Sequence, residues 1–296
     1  MKICRYNDNR LGIIEGSDIV DVTPALELLP RHQYPLPVFD PLVADLGRVC
    51  RYIDEIKSRG ARMPLEKAKL LSPVANPGKI IAAPVNYQKH LEEVLGDPNL
   101  HNDVRINHIQ RAGLFLKAAS SLVGAGEGVT LRMPERRNDH EVELAVVLGK
   151  TASRVHRSRA LEYVAGYCVA LDITIRGPEE RSFRKSPDSY TVLGPWLTTA
   201  DEVNDPDGLE LQLYVNGQAR QRANTRDLIL DVPALIEFAS SFYTLLPGDV
   251  IITGTPEGVG PIQAGDVLHA SVQHLGAIEV KVDAPDSPTS SALPYP

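Results

Sequence analysis

The first 60 residues alternate apolar and polar positions as short strands do, and then change to a helical period. Alternation predicts three strands, at Lys2 to Tyr6, Leu11 to Glu15 and Ile19 to Val22. Asp40-Pro41 is typical of a helix start, and apolar residues then recur at spacings of three and four as far as Ile56, before Gly60. These elements predict a small N-terminal α+β lobe over residues 1–72, which is short for an independent domain.

Beyond residue 72 most segments have the pattern of strands. They lie at 79–84, 113–117, 139–149, 167–171, 209–215, 218–222, 249–253, 267–272 and 277–282. Asn216-Gly217 predicts a type I′ hairpin, Arg159 to Tyr163 a short helix, and Asp231 the cap of a helix that continues to Phe242. We therefore expect one catalytic domain over residues 73–283, followed by a proline- and serine-rich tail, 284–296, that should be disordered.

Composition excludes several classes of function. The 296 residues are 43% hydrophobic and 23% charged, as in ordinary soluble globular proteins, and no apolar run is long enough to span a membrane. The charged N-terminus does not have the pattern of a signal peptide, so we expect a cytoplasmic protein. A net charge of -7 argues against nucleic-acid binding, and three widely spaced cysteines indicate neither a disulfide framework nor a zinc site.

Two carboxylates, Glu141 and Glu143, lie in a segment that otherwise has the pattern of a buried strand. Alternate side chains of a strand share a face, so the two charges should lie side by side, and a divalent cation would relieve their repulsion. An exposed edge strand with solvated glutamates explains the pattern as well. Asp172 follows the apolar strand 167–171 and would complete an all-oxygen site for Mg²⁺, with Mn²⁺ or Ca²⁺ as alternatives, in preference to zinc.

A histidine and a carboxylate, His90 and Glu93, are spaced for one face of a short helix. A carboxylate fixes the tautomer of a neighbouring imidazole and raises its basicity, which makes His90 a candidate base. An incidental ion pair on a surface turn is the alternative. The polar, turn-rich residues 94–112 that follow are a candidate for a mobile lid.

Three further features indicate that an anion is bound. Lys117 ends an apolar strand, residues 176–186 are dense in charge, and a glycine-rich loop runs from Gly254 to Gly260. The loop has neither the P-loop lysine nor dinucleotide spacing, so backbone amides and Thr255 would approach a small anion. The alternatives are a snorkelling lysine, a charged surface loop and a plain tight turn.

Six motifs occur in an order that resembles the fumarylacetoacetate hydrolase family over roughly residues 75–283. They are Asn86-Tyr87-x-x-His90-x-x-Glu93, Leu114-Phe-Leu-Lys117-x-x-Ser120-Ser121, Glu141-x-Glu143-Leu-Ala-Val-Val, Asp172, Leu193-Gly-Pro-Trp and Thr253-Gly-Thr-Pro-x-Gly-Val-Gly260. The resemblance implies an α+β, β-rich fold, a mixed β-sandwich roll that carries the small N-terminal lobe. It also implies a homodimer and a magnesium-type ion.

The resemblance also implies residue roles. Glu141, Glu143 and Asp172 would be the metal ligands. His90, Glu93 and Lys117 would be catalytic, with the first two activating water. Substrate contacts would come from Tyr87, Arg176, Lys185 and Thr255. The chain departs from the family pattern at Ala83-Pro84, at Ala118 after the lysine and at Gly177 after the arginine, and its interval from Glu93 to Lys117 is longer. These departures affect the expected substrate rather than the chemistry.

The expected reaction is metal-assisted hydrolysis of a carbon–carbon bond in a 2,4-dioxo acid, such as an acylpyruvate or a fumarylacetoacetate-like substrate. An oxaloacetate-type decarboxylase or a 2-hydroxy-diene-dioate isomerase would use the same enolate chemistry, and a non-catalytic metal-binding protein is a third reading. A serine hydrolase is disfavoured, because the sequence has no Gly-x-Ser-x-Gly elbow.

Overall fold

A computed structural model describes residues 1–96 and 108–285 as three β-sheets with short helices between them. The strands are β1 (Lys2–Tyr6), β2 (Arg10–Glu15), β3 (Asp18–Asp21), β4 (Arg62–Pro64), β5 (Leu70–Leu71), β6 (Ile80–Ala82), β7 (Phe115–Lys117), β8 (Leu122–Gly124), β9 (Val129–Thr130), β10 (Asn138–His140), β11 (Val142–Leu148), β12 (Val164–Asp172), β13 (Thr174–Ile175), β14 (Thr191–Thr199), β15 (Glu210–Val215), β16 (Gln218–Asn224), β17 (Val250–Ile252), β18 (Gly260–Ile262), β19 (Val267–Val272) and β20 (Gly276–Asp283).

Short helices and 3₁₀ turns connect the strands within the described ranges. The α-helices are α1 (Pro41–Ala44), α2 (Leu46–Ile56), α3 (Gln88–Gly96), α4 (Ile109–Ala112), α5 (Arg181–Arg184) and α6 (Val232–Phe242). The 3₁₀ turns are Thr23–Leu28, Lys57–Arg59, Leu65–Lys67, Ala119–Ser121, Ala125–Glu127, Arg157–Tyr163, Ala200–Glu202, Pro206–Gly208 and Thr225–Asp227. None of these helices is long and apolar enough to cross a membrane.

The largest sheet has the strand order β4-β3-β2-β1-β14-β12-β11-β17-β6-β7, with β5 beside β1 and β8 beside β14. A second sheet has the order β13-β10-β18, and a third the order β16-β15-β19-β20-β9. Strand β11 lies inside the largest sheet, antiparallel to both β12 and β17, and all of its residues are buried. This mixed, strand-rich arrangement confirms the predicted fold class.

The N-terminal meander continues the largest sheet, because β1 pairs with β14 through Lys2 opposite Thr198 and Ile3 opposite Leu197. The buried side chains of α2, Val49 and Ile53, pack with the apolar residues of the meander. The N-terminal lobe therefore shares a sheet with the rest of the chain.

The single helix predicted over residues 41–60 is two helices. Asp40 caps the first one by accepting the Val43 N–H at 3.1 Å, and Asp45 then leaves helical geometry at φ -108° and ψ 17°. The apolar period is continuous across this break because both helices bury the same side, so the sequence pattern does not show it. Asp40 Oδ2 also accepts the N–H groups of Ala75 and Asn76, which fixes the connection into the second half of the chain.

Two local predictions are confirmed. Asn216 and Gly217 have φ values of 51° and 76°, as a type I′ turn requires, and join β15 to β16. Asp231 caps α6 by accepting the Ala234 N–H at 2.8 Å. The short helix expected at 159–163 is a 3₁₀ turn, Arg157–Tyr163. Most of the expected lid, 97–107, and of the expected tail, 286–296, lies outside the described residues.

Candidate active site

The structure brings Glu141, Glu143 and Asp172 together at the start of β11 and the end of β12. Val142 pairs with Leu171, and the Asp172 N–H donates to the Glu141 carbonyl at 2.9 Å. The three carboxylates are buried, and one oxygen of each lies within 4.8 Å of the others. The alternative of an exposed edge strand is wrong, since β11 is paired on both sides.

Two of the three carboxylates are neutralised by the chain itself. Lys185 Nζ lies 2.6 Å from Glu141 Oε2 and 2.8 Å from Asp172 Oδ2. Lys117 donates to Asp172 Oδ1, and Arg176 Nη2 donates to Glu141 Oε1 at 3.1 Å. Burial would raise the pKa of Glu141, but the Lys185 and Arg176 cations lower that pKa to about 2.

Glu143 has no cationic partner among the described residues. Its Oε2 accepts the Gly254 N–H at 2.5 Å. Burial, together with the charges of Asp172 and Glu141, raises the pKa of Glu143 well above its ordinary value. Such a carboxylate is costly when ionised unless a cation compensates it, and three oxygen donors are what Mg²⁺ or Mn²⁺ prefers. These residues therefore fit a divalent ion.

The two buried lysines hold the carboxylates in place. Lys117 Nζ donates to Asp172 and to the carbonyls of Lys185 and Tyr190, so all three of its hydrogens have acceptors. Lys185 Nζ donates to both carboxylates and to Thr174 Oγ1 at 2.5 Å. Burial lowers the pKa of Lys117. Because an ammonium group has three donors, these bonds saturate both lysines and orient the acidic oxygens.

Arg176 bridges two carboxylates, Glu141 and Asp139. Its Nε donates to Asp139 Oδ2 at 2.7 Å, and Arg137 Nε donates to the other oxygen at 2.8 Å. Asp139 and Glu141 also raise the pKa of the Arg176 guanidinium, against the effect of its burial. These hydrogen bonds to Asp139 and Glu141 fix the guanidinium of Arg176 beside the carboxylates of the site.

His90 and Glu93 lie on α3 with Nδ1 2.8 Å from Oε2. His90 is buried, and Glu93 Oε1 accepts the Gly258 N–H at 2.9 Å, so the pair is not an incidental surface contact. An ionised carboxylate only accepts, so Nδ1 carries the proton and Nε2 is the nitrogen that can take one. The loop that Glu93 contacts also reaches the carboxylates, because the Gly254 N–H donates to Glu143.

Two other predicted contacts lie beside the carboxylates. The Tyr87 hydroxyl is buried and has no hydrogen-bond partner within residues 1–96 and 108–285. Burial raises its pKa, and the charge of Glu143 adds to the effect. Thr255 Oγ1 donates to the Val142 carbonyl at 2.9 Å, which places the glycine-rich loop against β11. A buried hydroxyl without a protein partner is satisfied by water or by a ligand.

Three residues of the site were not predicted as site residues. Thr174 donates to Glu141 Oε1 at 3.1 Å, and Asp139 anchors Arg176. The spacing of Thr174 two residues after Asp172 is a signal that could have identified it, because alternate residues of an extended segment share a side. Gln221 bonds to Thr255 from a different sheet, and no local pattern around it indicates this.

The family model described as fumarylacetoacetate hydrolase, C-terminal, matches residues 79–283. The chain is 59% identical over 284 residues to a maleylpyruvate hydrolase from Aquipseudomonas alcaligenes, which covers 95% of this chain and 99% of the relative. It is 34% identical over 232 residues to a mitochondrial oxaloacetate tautomerase from Rattus norvegicus, with 74% and 71% covered.

A crystal structure of maleylpyruvate hydrolase from Sphingobium sp. SYK-6, in complex with manganese(II) ion and pyruvate, is similar to the whole fold. The TM-score is 0.82 at 40% identity, and the alignment covers 97% of this chain and 100% of that one. The similarity therefore includes the N-terminal residues that the family model does not match.

Proposed function

The chain belongs to the fumarylacetoacetate hydrolase family, as its motifs predicted, and on that premise we propose that it hydrolyses a carbon–carbon bond in a 2,4-dioxo acid. The main support for this proposal is the His90–Glu93 pair beside three buried carboxylates. A protein that only bound a metal would have no use for an oriented base at that place.

We propose an acylpyruvate, with maleylpyruvate as the first compound to test, as the substrate. Two relatives named maleylpyruvate hydrolase are 59% and 40% identical to this chain and align over nearly all of it. Pyruvate in the second relative is what such a hydrolysis would release, which supports the same substrate class.

Glu141, Glu143 and Asp172 are the proposed ligands of a divalent ion, Mn²⁺ or Mg²⁺. When bound, the ion would supply a Lewis acid for the substrate's 2-oxo group and a positive charge near the enolate that forms. Mn²⁺ in the Sphingobium relative supports an ion of this class, and the all-oxygen donor set accommodates either metal.

His90 is the proposed general base. Its Nε2 takes a proton from water while the hydroxyl oxygen bonds to the remote carbonyl carbon of the substrate. The carbon–carbon bond next to that carbonyl then breaks, and its electron pair remains on the pyruvate fragment as an enolate. The proton on His90 can pass to that carbon, so that substrate and one water give a carboxylic acid and pyruvate. Glu93 stabilises the imidazolium between these steps.

The charged groups around the carboxylates stabilise the developing enolate and hold the substrate. We propose that Lys117 and Lys185 contribute positive charge from fixed positions, which costs no reorganisation during the reaction. Tyr87, with its buried hydroxyl, is the proposed hydrogen-bond donor to a substrate oxygen. Arg176 and the loop that contains Thr255 are the proposed contacts of the substrate carboxylate.

Keto–enol isomerisation or decarboxylation of oxaloacetate is the second candidate, because one relative with 34% identity is named an oxaloacetate tautomerase. Both reactions would use the same carboxylate site and an enolate, but neither requires water to attack a carbonyl. Decarboxylation is distinguished from hydrolysis by its smaller dependence on His90, whereas isomerisation moves a proton, still needs a base and is distinguished by its product.

We also propose that the protein is a homodimer, as the family resemblance implies. Light scattering across the working concentration range should return twice the mass of the 32.3 kDa chain. A monomer mass throughout would refute the dimer and would leave the chemistry unaffected.

Purified protein, freed of metal and reloaded with Mn²⁺ or Mg²⁺, should be assayed against a panel of acylpyruvates and oxaloacetate. We expect a carboxylic acid and pyruvate from maleylpyruvate, with no turnover after chelation. Turnover of oxaloacetate together with none of any acylpyruvate would favour the second candidate.

A further inference from the structure

Gln221 reaches the candidate active site from the third sheet. It lies on β16, where Gln218, Ala219, Arg220 and Arg222 are exposed, and it is the buried residue among them at 2% exposure. Its side-chain amide lies between the start of β11 and the Gly254–Gly258 loop. A polar side chain buried this completely has to satisfy its hydrogen bonds there.

The orientation of this amide follows from two partners that each act in one direction. The Val142 N–H can only donate, and it lies 3.0 Å from Gln221 Oε1. The Pro256 carbonyl can only accept, and it lies 2.9 Å from Nε2. The oxygen therefore faces β11 and the nitrogen faces the loop.

The same logic determines where the Thr255 proton lies. The second amide hydrogen of Gln221 goes to Thr255 Oγ1 at 2.8 Å, so this hydroxyl accepts from Gln221. Its own hydrogen then goes to the Val142 carbonyl at 2.9 Å, which can only accept. A hydroxyl has one hydrogen, so Thr255 has none left to donate to a substrate.

His140 completes the set of bonds. Its Nδ1 lies 3.3 Å from Gln221 Oε1, which can only accept, so the ring proton is on Nδ1. Gln221 thus has two donors and two acceptor contacts, and all four are used. Gln221 therefore connects Val142 to the Gly254–Gly258 loop. Val142 lies between the two glutamates of the site, and the Gly254 N–H of the loop donates to Glu143.

We propose that Gln221 is a positioning residue that holds the Gly254–Gly258 loop against the strand carrying Glu141 and Glu143. We further propose that Thr255 offers the substrate carboxylate its backbone N–H rather than its hydroxyl. The Thr255 N–H has no hydrogen bond within the described ranges. The second statement rests on the proposed function, because it assumes a carboxylate ligand, whereas the first does not.

The test compares Gln221→Leu, Thr255→Val, their double variant and Thr255→Ser with the parent. Mn²⁺ affinity of metal-free protein and pyruvate affinity of Mn²⁺-loaded protein are measured by calorimetry, and thermal unfolding reports folding. Gln218→Leu is the matched control, the same substitution at an exposed position of the same strand. Should Gln221→Leu not fold, Gln221→Glu keeps the acceptors toward Val142 and His140 and removes the donors toward the loop.

We expect Gln221→Leu and Thr255→Val each to weaken both affinities by about tenfold, as loss of a supporting hydrogen bond does at metal sites. The double variant should lose less than the sum of the two single variants, because both substitutions remove the Gln221–Thr255 hydrogen bond. Thr255→Ser keeps the hydroxyl and should lose less of either affinity than Thr255→Val. Gln221→Glu should weaken pyruvate binding.

Two outcomes would overturn the proposal. Parental Mn²⁺ affinity in folded Gln221→Leu, or parental pyruvate affinity in Gln221→Glu, would show that Gln221 positions nothing. A Thr255→Val variant that loses only pyruvate affinity, with additive effects in the double variant, would show that the hydroxyl itself contacts the ligand. A parent that binds Mn²⁺ but no pyruvate would contradict the proposed function, and the Mn²⁺ measurements would still decide the role of Gln221.

Discussion

His90 Nδ1 lies 2.8 Å from Glu93 Oε2, while the other oxygen of Glu93 accepts the Gly258 N–H at 2.9 Å. The carboxylate therefore connects the proposed base on α3 to the glycine-rich loop that also reaches Glu143. A change in that loop should thus affect both the base and the carboxylate site.

Gly258 is the residue of the loop where this connection can be tested. Its φ is +92°, and a Cβ would lie 2.1 Å from the Arg220 carbonyl. Gly258→Ala should cost roughly 1–2 kcal/mol for the backbone conformation alone, and displacement of its N–H should lower hydrolysis through Glu93. Gly260→Ala is the control, since a Cβ there would meet only His140 Nε2, at 3.5 Å. Equal rates for both variants would show that the loop does not position the base.

Glu143 is the carboxylate that most needs the ion. Glu143→Gln should weaken Mn²⁺ binding by at least about 100-fold, because it removes a ligand rather than a supporting group. It should not destabilise the metal-free protein, since burial already disfavours the charged form of Glu143 and a neutral amide can still accept the Gly254 N–H. Calorimetry and denaturant unfolding measure the two effects, with exposed Glu279→Gln as the control. Unchanged Mn²⁺ affinity would refute the assignment of Glu143 as a metal ligand.

Lys117 compensates Asp172 in the buried site. Lys117→Met should lower the free energy of unfolding of metal-free protein by about 3–5 kcal/mol, because it leaves a buried carboxylate with one cation fewer. Added Mn²⁺ should restore part of the loss. Lys281→Met, on the exposed side of β20, should change little. A loss below about 1 kcal/mol, as for a surface pair, would contradict this role.

Asp207, a residue outside the candidate site, should make the stability of the protein depend on pH. Burial, with the charges of Asp231 and Asp205, raises the pKa of Asp207 from 3.8 to about 6. The folded protein then keeps a proton that the unfolded chain has lost, so this residue lowers stability as pH rises from about 4 to about 6. Asp207→Asn can still accept the Val232 N–H and should be about 1 kcal/mol more stable than the parent at pH 7, after allowance for partial exposure.

The Asp207 comparison is made by denaturant unfolding at pH 3.5 and at pH 7. The variant and the parent should be nearly equal in stability at the lower pH, where the Asp207 carboxyl is mostly protonated in both the folded and the unfolded state. Asp8→Asn, in an exposed turn, is the control. A variant with the same advantage at both pH values would show that the effect is not a proton linkage.

The parts of the fold that depend on local pattern were predictable from sequence. The Asn216-Gly217 hairpin and the capped helix after Asp231 depend on neighbouring residues, and both are present. The pair Glu141 and Glu143 was identifiable because charge in an apolar strand requires an explanation. The break at Asp45 was not predictable, since it interrupts the backbone without interrupting the apolar period.

The contacts that complete the site depend on tertiary structure. Gln221 bonds to Val142 across 79 positions, and nothing in the exposed strand around it sets it apart. Lys185 was predicted to contact substrate, but its place between Glu141 and Asp172 follows only from the folding of 176–186 over the end of β12. Sequence can indicate which residues are charged and buried, whereas their pairing is set by the sheet.

The central claim is that His90, held by Glu93, activates water for hydrolysis. The direct measurement is the rate of maleylpyruvate cleavage by His90→Ala and Glu93→Gln, each loaded with Mn²⁺ and shown by calorimetry to bind the ion as the parent does. We predict near-complete loss of cleavage in His90→Ala and a smaller loss in Glu93→Gln, whose amide can orient the ring but cannot stabilise its charge. Decarboxylation of oxaloacetate, which needs no water attack, should fall less in His90→Ala. Cleavage of maleylpyruvate by His90→Ala at close to the parent rate would contradict the account.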